Sequence, residues 1–254
     1  YFQFYFLSKL NYLIFLFEFN EIYISKNNIK FIKGVELTCE SDGIECHILG
    51  YNCDLYNQTL ADLILKGKKL RRTKLDRRIN FLKEKWNIEL TQTELDWLYS
   101  RKSVVKTHVA NILVKRGLAE DNVSAMKKYL NGCKSPNTKF TITESIHAII
   151  SSGGIPVWAH PLGGEGEVHI NKNEFLTKLS TMKNLGIKGL ECYYSRYNFE
   201  EINMLTQVAE DNNLFITGGS DYHGTNKDIE LCWVSLLSKS KSFTLSAPMM
   251  SEQS

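Results

Sequence analysis

The stretch GGSDYHG, which follows the apolar run LFIT, holds two residue types that bind metal ions. Asp221 and His223 stand two positions apart, so in an extended segment both side chains point to the same side and can present an oxygen and a nitrogen to neighbouring ions. The glycines before them allow close approach of the backbone, which slightly favours a site. A turn capped by Asp221, with His223 in solvent, explains the fragment equally well.

Three more residues of this kind lie in or beside strand-like runs. Glu36 stands between Val35 and Leu37, and a buried ionised carboxylate is costly unless it is paired or bound to a metal. His47 in ECHILGY raises the same question one strand later. His160 in WAHP follows an apolar strand, where a lone histidine is more often a hydrogen-bonded rim residue than a ligand. The five residues together supply two carboxylates and three imidazoles, the ligand set that zinc, manganese and iron prefer.

The order of the predicted elements indicates how these residues can meet. Two strands, IKFIKGVELTC and ECHILGY, flank a turn at Ser41-Asp42-Gly43. A helical block without strand signal runs from Leu55 to about Leu130 and includes a helix over Val104 to Arg116. From Thr141 the order is helix, strand, helix, strand, helix, strand, which is typical of parallel strands with crossover helices. Capping boxes are predicted at three helix starts: Thr91 with Glu94, Thr141 with Glu144, and Asn198 with Glu201.

Polar residues fall at or just past the ends of the strands predicted in the second half of the chain. They are His160, Glu191 and the pair Asp221 and His223. Since α/β barrels assemble their active sites at the C-terminal ends of their strands, these residues are expected to share one rim.

The composition excludes several classes of protein. A chain of 254 residues with 43% hydrophobic residues and a net charge of +3 fits one large domain, and indicates neither disorder nor an obligate nucleic-acid binder. The six cysteines form no CxxC pair, so a reducing cytoplasm is the expected setting. Cys39, Cys46 and Cys53 lie in or beside strand-like runs, and buried structural thiols are favoured there over a soft-metal site. The aromatic start contains an uninterrupted apolar piece, Tyr12 to Phe17, far shorter than the roughly 20 residues of a spanning helix. We therefore expect no membrane anchor.

The chain resembles the PHP (polymerase and histidinol phosphatase) superfamily over roughly Ile29 to Lys227. The resemblance is greatest to its nucleoside 3′,5′-bisphosphate phosphatases and ribonuclease AM-like 5′ to 3′ exoribonucleases. It rests on five motifs in fixed order, with a helical block among them: GVELTCESDGIECHILGY, KTHVANILVKRG, GGIPVWAHP, GLECYYS and TGGSDYHG. This resemblance implies an α/β fold, a distorted seven-stranded (β/α) barrel with a helical insertion, and up to three divalent ions of Mn, Zn or Fe.

The resemblance also implies ligand roles residue by residue. Glu36 matches the carboxylate that bridges two metals, and His47 and His160 complete the shell of the second metal. Asp221 belongs to the first metal and His223 to the third.

A substrate-binding pair is implied in the motif KTHVA. His108 matches a substrate-side histidine of a motif usually written GRPHxA, in which Lys106 and Thr107 replace the Arg and Pro. Because lysine cannot form the bidentate contact of arginine, a phosphate clamp becomes a point charge here.

The resemblance stops short at both ends. Superfamily members begin with an HxH strand motif, and the six histidines of this chain include no HxH pair. We therefore expect an unrelated aromatic segment over 1–28, a barrel over 29–230 with an insertion at about 56–140, and a tail over 231–254. On this hypothesis the chain starts inside the domain, holds a single ion and turns over slowly.

The function implied is metal-dependent hydrolysis of phosphate esters of nucleotides or of short RNA 5′ ends, in the cytoplasm and without an obligate protein partner. The basic run from Lys66 to Arg78 could attract nucleic acid, but a solvated helix face is the favoured interpretation. Two alternatives stay open: a non-catalytic remnant that binds RNA or a phosphorylated ligand, and a histidinol phosphatase-like enzyme.

Overall fold

The structure is a computed structural model that describes residues 4–5, 30–32, 34–41, 43–101, 104–134, 139–164 and 167–219. Within these ranges the strands are β1 (Phe4–Tyr5), β2 (Lys30–Phe31), β3 (Gly34–Ser41), β4 (Ile44–Tyr51), β5 (Ile155–Trp158), β6 (Gly189–Tyr194) and β7 (Phe215–Gly219). The helices are α1 (Gln58–Trp86), α2 (Gln92–Tyr99), α3 (Lys106–Lys115), α4 (Asn122–Tyr129), α5 (Ile142–Ser151), α6 (Lys172–Leu185) and α7 (Phe199–Asp211). Asp221 and His223 lie outside the described residues, as do the tail and most of the aromatic start.

Five strands form one mixed sheet in the order β3-β4-β5-β6-β7, and β1 pairs with β2 separately. The predicted hairpin is confirmed, because β3 and β4 pair antiparallel on either side of Gly43, whose φ of +77° suits glycine. β5, β6 and β7 pair in parallel with α6 and α7 as crossovers, as predicted from their alternation. Strand β4 also pairs antiparallel with β5, which joins the two halves of the chain. The mixed α/β class is therefore confirmed.

One face of this sheet packs against α5, α6 and α7 to form the main core. Val35, Leu37 and Cys39 alternate along β3 on this face, and all three are buried. The helices contribute a second row of buried side chains, including Ile146 and Phe175. Since residues in a strand alternate between faces, Glu36 and Thr38 of β3 and His47 of β4 are directed to the opposite side.

The helical block has a hydrophobic core of its own. Helix α1 joins it to the sheet: Leu60 and Leu63 in its first half belong to the main core, whereas Leu75 and Leu82 belong to a second cluster with Leu113 of α3. We call this second cluster the helical core. Among the described residues no helix combines the length and apolar character needed to cross a membrane.

The basic run on α1 is less solvated than predicted. Lys66 pairs with Glu144 at 2.7 Å, and the guanidinium of Arg72 lies 4.5 Å from the ring centre of Tyr99. Arg71 is half-buried, and burial lowers its pKa. Part of this positive charge is therefore already engaged with neighbouring elements.

The predicted helix starts are confirmed by their hydrogen bonds. In each of the three capping boxes the side chain of the first residue accepts from the backbone N–H of the glutamate, and the glutamate carboxylate accepts from the backbone N–H of the first residue. The pairs are Thr91 with Glu94, Thr141 with Glu144, and Asn198 with Glu201. Two of these boxes start α5 and α7, which pack against the sheet, and the third starts α2 of the helical block. Cys39, Cys46 and Cys53 are buried free thiols, as expected. Cys192 is also buried, Cys133 is half-buried, and Cys232 lies outside the described residues.

Candidate metal centre

Three of the residues singled out in the sequence converge at one edge of the sheet. Nδ1 of His47 lies 3.1 Å from Oε1 of Glu36 and 3.1 Å from Nε2 of His160. Nε2 of His160 lies 4.0 Å from the same oxygen of Glu36. These three donor atoms are within 4.8 Å of one another, close enough to share a cation.

Strand periodicity and register bring these side chains together. Glu36 lies between Val35 and Leu37 and therefore points away from the main core. His47 of β4 points to the same side, and its carbonyl accepts a hydrogen bond from the backbone N–H of Ala159 at 3.0 Å. This contact continues the pairing of β4 with β5 by one residue and delivers the next residue in the chain, a histidine, beside His47.

His160 is held in a strained backbone conformation. Its φ is +29°, in a region that residues with a side chain rarely adopt. Its N–H donates to Oε2 of Glu191 at 2.9 Å, and its carbonyl accepts from the N–H of Gly163 at 2.8 Å. Strain of this kind persists where neighbouring structure enforces it, and it clusters at functional sites. Glu191 is the third residue of β6, inside the strand and not at the end where the sequence placed it.

A carboxylate that the sequence did not single out lies on the outer side of both imidazoles. Oε2 of Glu167 is 3.3 Å from Nδ1 of His160, and its Oε1 is 3.9 Å from Nε2 of His47. The N–H of Gly164 donates to Oε2 of Glu167 at 2.7 Å. Glu167 thus touches both histidines from the side opposite to Glu36.

The charges around His160 favour its protonated form. Burial opposes the imidazolium, but the contact with Glu167 and the negative charge of Glu191 outweigh it, so the pKa of His160 is raised. Burial also opposes ionisation of Glu167, yet the contacts with His160 and the N–H of Gly164 lower its pKa to about 2. Near neutral pH this edge of the sheet therefore carries ionised carboxylate and attracts positive charge.

The donor atoms fit a divalent cation. Ligands about 2.1 Å from a tetrahedral ion lie about 3.4 Å apart, close to the separations of 3.1, 3.1 and 4.0 Å observed here. Nδ1 of His47 faces both an oxygen of Glu36 and a nitrogen of His160, and a single proton on Nδ1 can be donated well to only one of them. A cation between the three atoms satisfies all of them together.

Lys106 and His108 lie on α3, in the helical block. Nδ1 of His108 accepts the N–H of Val105 at 3.0 Å, and its ring meets Trp97 edge to face with centroids 5.8 Å apart. Burial, together with the charge of Arg101, lowers the pKa of His108. The neutral imidazole with Nδ1 as acceptor therefore carries its proton on Nε2.

Glu36, His47 and His160 are called the metal-ligand cluster below. A cavity of about 340 Å³ opens beside His160 of this cluster. His160 and Glu167 line it together with Glu45, Glu174 and Lys178 of the surrounding elements.

No family model matches the chain, but relatives of known activity do. It is 30% identical over 210 residues to a 5′-3′ exoribonuclease of Haemophilus influenzae, an alignment that covers 80% of this chain and 73% of that protein. The chain belongs to the PHP-family 5′-3′ exoribonucleases. Its identity to the 5′-3′ exoribonuclease Rnm of Escherichia coli is 27% over 206 residues, covering 80% of this chain and 69% of Rnm. The family resemblance seen in the sequence motifs is thus confirmed.

Solved structures share the fold of this exoribonuclease-family chain. A protein from Bifidobacterium adolescentis described as a metal-dependent phosphoesterase superposes with a TM-score of 0.67 at 21% identity, covering 85% of this chain and 76% of that one. An amidohydrolase from Chromobacterium violaceum gives 0.64 at 21% identity, covering 84% and 75%. At this identity the likeness concerns the fold alone.

Sequence reasoning missed Glu167 and left the role of Glu191 open in this family member. Glu167 lies in the loop stretch GGEGEVH, which has no periodicity from which its direction could be inferred. The signal available was the density of glycines after a strand-end histidine, which permits a loop to fold back closely over the imidazole.

Proposed function

We propose that this chain is a metal-dependent phosphoesterase that hydrolyses phosphate esters at the 5′ end of RNA. The single observation that carries the proposal is the convergence of Glu36, His47 and His160 donor atoms within 4.8 Å at one edge of the sheet. Membership of the exoribonuclease family supports RNA as the substrate, since the named relatives are 5′-3′ exoribonucleases.

In this proposal Glu36, His47 and His160 hold a divalent ion of Mn, Zn or Fe. A bound ion supplies a hydroxide near neutral pH and charge stabilisation for the phosphoryl oxygens. Glu36 would contribute a carboxylate oxygen and each imidazole one ring nitrogen, and His160 would release the proton on Nε2 when the ion binds. Glu191 keeps His160 in place through its backbone N–H, at 2.9 Å.

Asp221 and His223 are proposed as ligands of further ions in the same cluster. Both follow β7, the strand that pairs with β6, and Glu191 of β6 lies directly opposite Thr217 of β7. Strand β7 ends at Gly219, which lies close to the carboxylate of Glu191. A Cβ added at Gly219 would be 2.6 Å from Oε1 of Glu191. This proximity supports the proposal.

Lys106 and His108 are proposed to bind a phosphate of the substrate. Both lie in the first turn of α3, where the backbone N–H groups of a helix start favour an anion. Val105, the residue before the helix, makes no side-chain cap bond to the N–H groups of the first turn, and its own N–H is taken up by His108. The Nε2–H of neutral His108 provides a further donor, and Lys106 a positive charge.

The complete architecture is proposed as a seven-stranded (β/α) barrel, of which the five-stranded mixed sheet forms the larger part. We propose the same domain boundaries as from the sequence: a segment over 1–28, the barrel over 29–230 with its insertion at about 56–140, and a tail over 231–254. The separate helical core supports the insertion as a unit of its own.

The test is hydrolysis of a 5′-phosphorylated RNA oligonucleotide with Mn²⁺, followed as release of mononucleotides. We expect activity that EDTA abolishes and that His47→Ala reduces at least about a hundredfold, because a metal ion contributes several kcal/mol to the transition state and 1.4 kcal/mol is tenfold in rate. His147→Ala, at an exposed position on α5, is the matched control and retains activity. Activity that survives both EDTA and His47→Ala would refute the proposal.

A further inference from the structure

The two imidazoles of the metal-ligand cluster present opposite edges to two different carboxylates. Nδ1 of His47 and Nε2 of His160 face Glu36, at 3.1 and 4.0 Å. The remaining ring nitrogens, Nε2 of His47 and Nδ1 of His160, face the two separate oxygens of Glu167, at 3.9 and 3.3 Å. Each histidine is therefore placed between an inner and an outer carboxylate.

Metal-binding imidazoles need a partner for the nitrogen that does not bind the metal. That nitrogen carries a proton, and donating it to a carboxylate fixes the tautomer and the orientation of the ring. His160 is only 5% exposed, so solvent has little access to its Nδ1. Among the described residues this atom has no well-aligned hydrogen bond, and the carboxylate of Glu167 is the charge that approaches it.

We propose that Glu167 is a positioning residue that holds both histidines for metal binding, His47 through Nδ1 and His160 through Nε2. This inference rests on the metal centre of the proposed function and extends it to a carboxylate beyond the ligands. A carboxylate suits the position because its two oxygens face different rings and each can accept a hydrogen bond. An amide can accept on one side only, since its other group is a donor.

The loop that carries Glu167 is built to bring it over His160. The N–H of Glu167 donates to the carbonyl of Gly164 at 3.2 Å, and the N–H of Gly164 returns a bond to Oε2 of Glu167 at 2.7 Å. The phenol of Tyr197 accepts the N–H of Leu162 at 2.8 Å and ties the start of the loop to the main core. The carboxylate is therefore placed by the backbone and not only by its attraction to the histidines.

Gly164 provides the space for this arrangement. A Cβ there would lie 2.7 Å from Nδ1 and 2.9 Å from Cε1 of His160, too close for any side chain. The loop therefore folds onto the imidazole edge at a distance that suits glycine, and the carboxylate of Glu167, three residues further along, lies in reach of both rings.

The experiment measures metal affinity in Glu167→Gln by titrating the full chain with Co²⁺ and following visible absorption. We expect the dissociation constant to rise about 10–100-fold, as for the loss of comparable partners of ligating histidines. Glu174→Gln is the control: it removes one charge from the same cavity, and its carboxylate pairs with Lys178 at 3.0 Å. A change of less than twofold in Glu167→Gln, or an equal change in the control, would overturn the proposal.

Two further readouts separate positioning from other roles. In the Zn²⁺-loaded protein, long-range ¹H–¹⁵N spectra are expected to show His47 protonated at Nε2 and His160 at Nδ1; the opposite tautomers overturn the inference. An altered Co²⁺ absorption spectrum at saturation in Glu167→Gln would also overturn it, since it would make Glu167 a ligand.

The thermal midpoint of the metal-free variant serves as the check on folding. If Glu167→Gln fails to fold, the shorter Glu167→Asp replaces it and is expected to weaken binding, because it cannot span both rings. Wild-type protein that binds no Co²⁺ refutes the metal centre itself, whereas wild-type binding with unchanged Glu167→Gln refutes only the role of Glu167.

Discussion

Replacement of Gly164 by alanine tests the geometry of the metal centre from outside its ligands. The added Cβ would lie 2.7 Å from Nδ1 of His160, whereas ordinary contacts between such atoms are about 3.5 Å. The ring or the loop must therefore move by about 0.8 Å. His160 has little freedom to comply, since its backbone is held by Glu191 and its ring centre lies 5.4 Å from that of Tyr194.

The consequence is expected in metal affinity more than in folding. Metal–nitrogen distances tolerate about 0.2 Å, so a shift of this size weakens binding at least tenfold, or about 1.4 kcal/mol. The loop is partly exposed, and we expect a loss of unfolding free energy near the lower end of the 1–3 kcal/mol typical of overpacking. Isothermal titration with Mn²⁺ and chemical denaturation measure the two quantities. Val168→Ala, at an exposed position of the same loop, is the control. Unchanged affinity in Gly164→Ala would refute the reasoning.

Three further predictions concern the surrounding structure. Glu94→Gln lowers the unfolding free energy by about 1 kcal/mol at pH 7. Because Arg116 lowers the pKa of Glu94, this contribution is present above the unfolded pKa of about 4.3 and is lost as the pH falls through the lower folded pKa. Urea unfolding is therefore expected to show a larger difference in unfolding free energy between wild type and Glu94→Gln at pH 7 than at pH 3. Leu113→Ala, in the helical core, costs about 2–5 kcal/mol by denaturation without weakening metal binding, and a parallel loss of metal affinity would contradict the independence of the two cores. Glu191→Ala leaves the buried N–H of His160 without its acceptor and costs about 1–3 kcal/mol in thermal unfolding; an unchanged thermal midpoint would contradict that role.

Much of the fold could be predicted from local pattern. The hairpin of β3 and β4 follows from two apolar runs around Gly43, and the start of α5 from the pair Thr141 and Glu144. The antiparallel pairing of β4 with β5 was not predicted. The helical block separates these strands by about 100 residues, and no local signal specifies the direction in which a distant strand returns.

The candidate site likewise contains residues that the sequence could predict and one that it could not. Glu36, His47 and His160 could be singled out because their types are unusual on apolar strands, and the structure brings the three together. Glu167 could not, because its position depends on a loop fold set by Gly164 and by the anchor at Tyr197. Neither contact produces a periodic pattern of residue types from which it could be predicted.

The proposed function requires a cation between Glu36, His47 and His160. The most direct measurement is anomalous X-ray diffraction from crystals of the full chain soaked in Zn²⁺ and recorded at the zinc edge. We expect a peak about 2.0–2.2 Å from Oε1 of Glu36, Nδ1 of His47 and Nε2 of His160. Zinc bound elsewhere on the chain, with no peak among these three atoms, would contradict it.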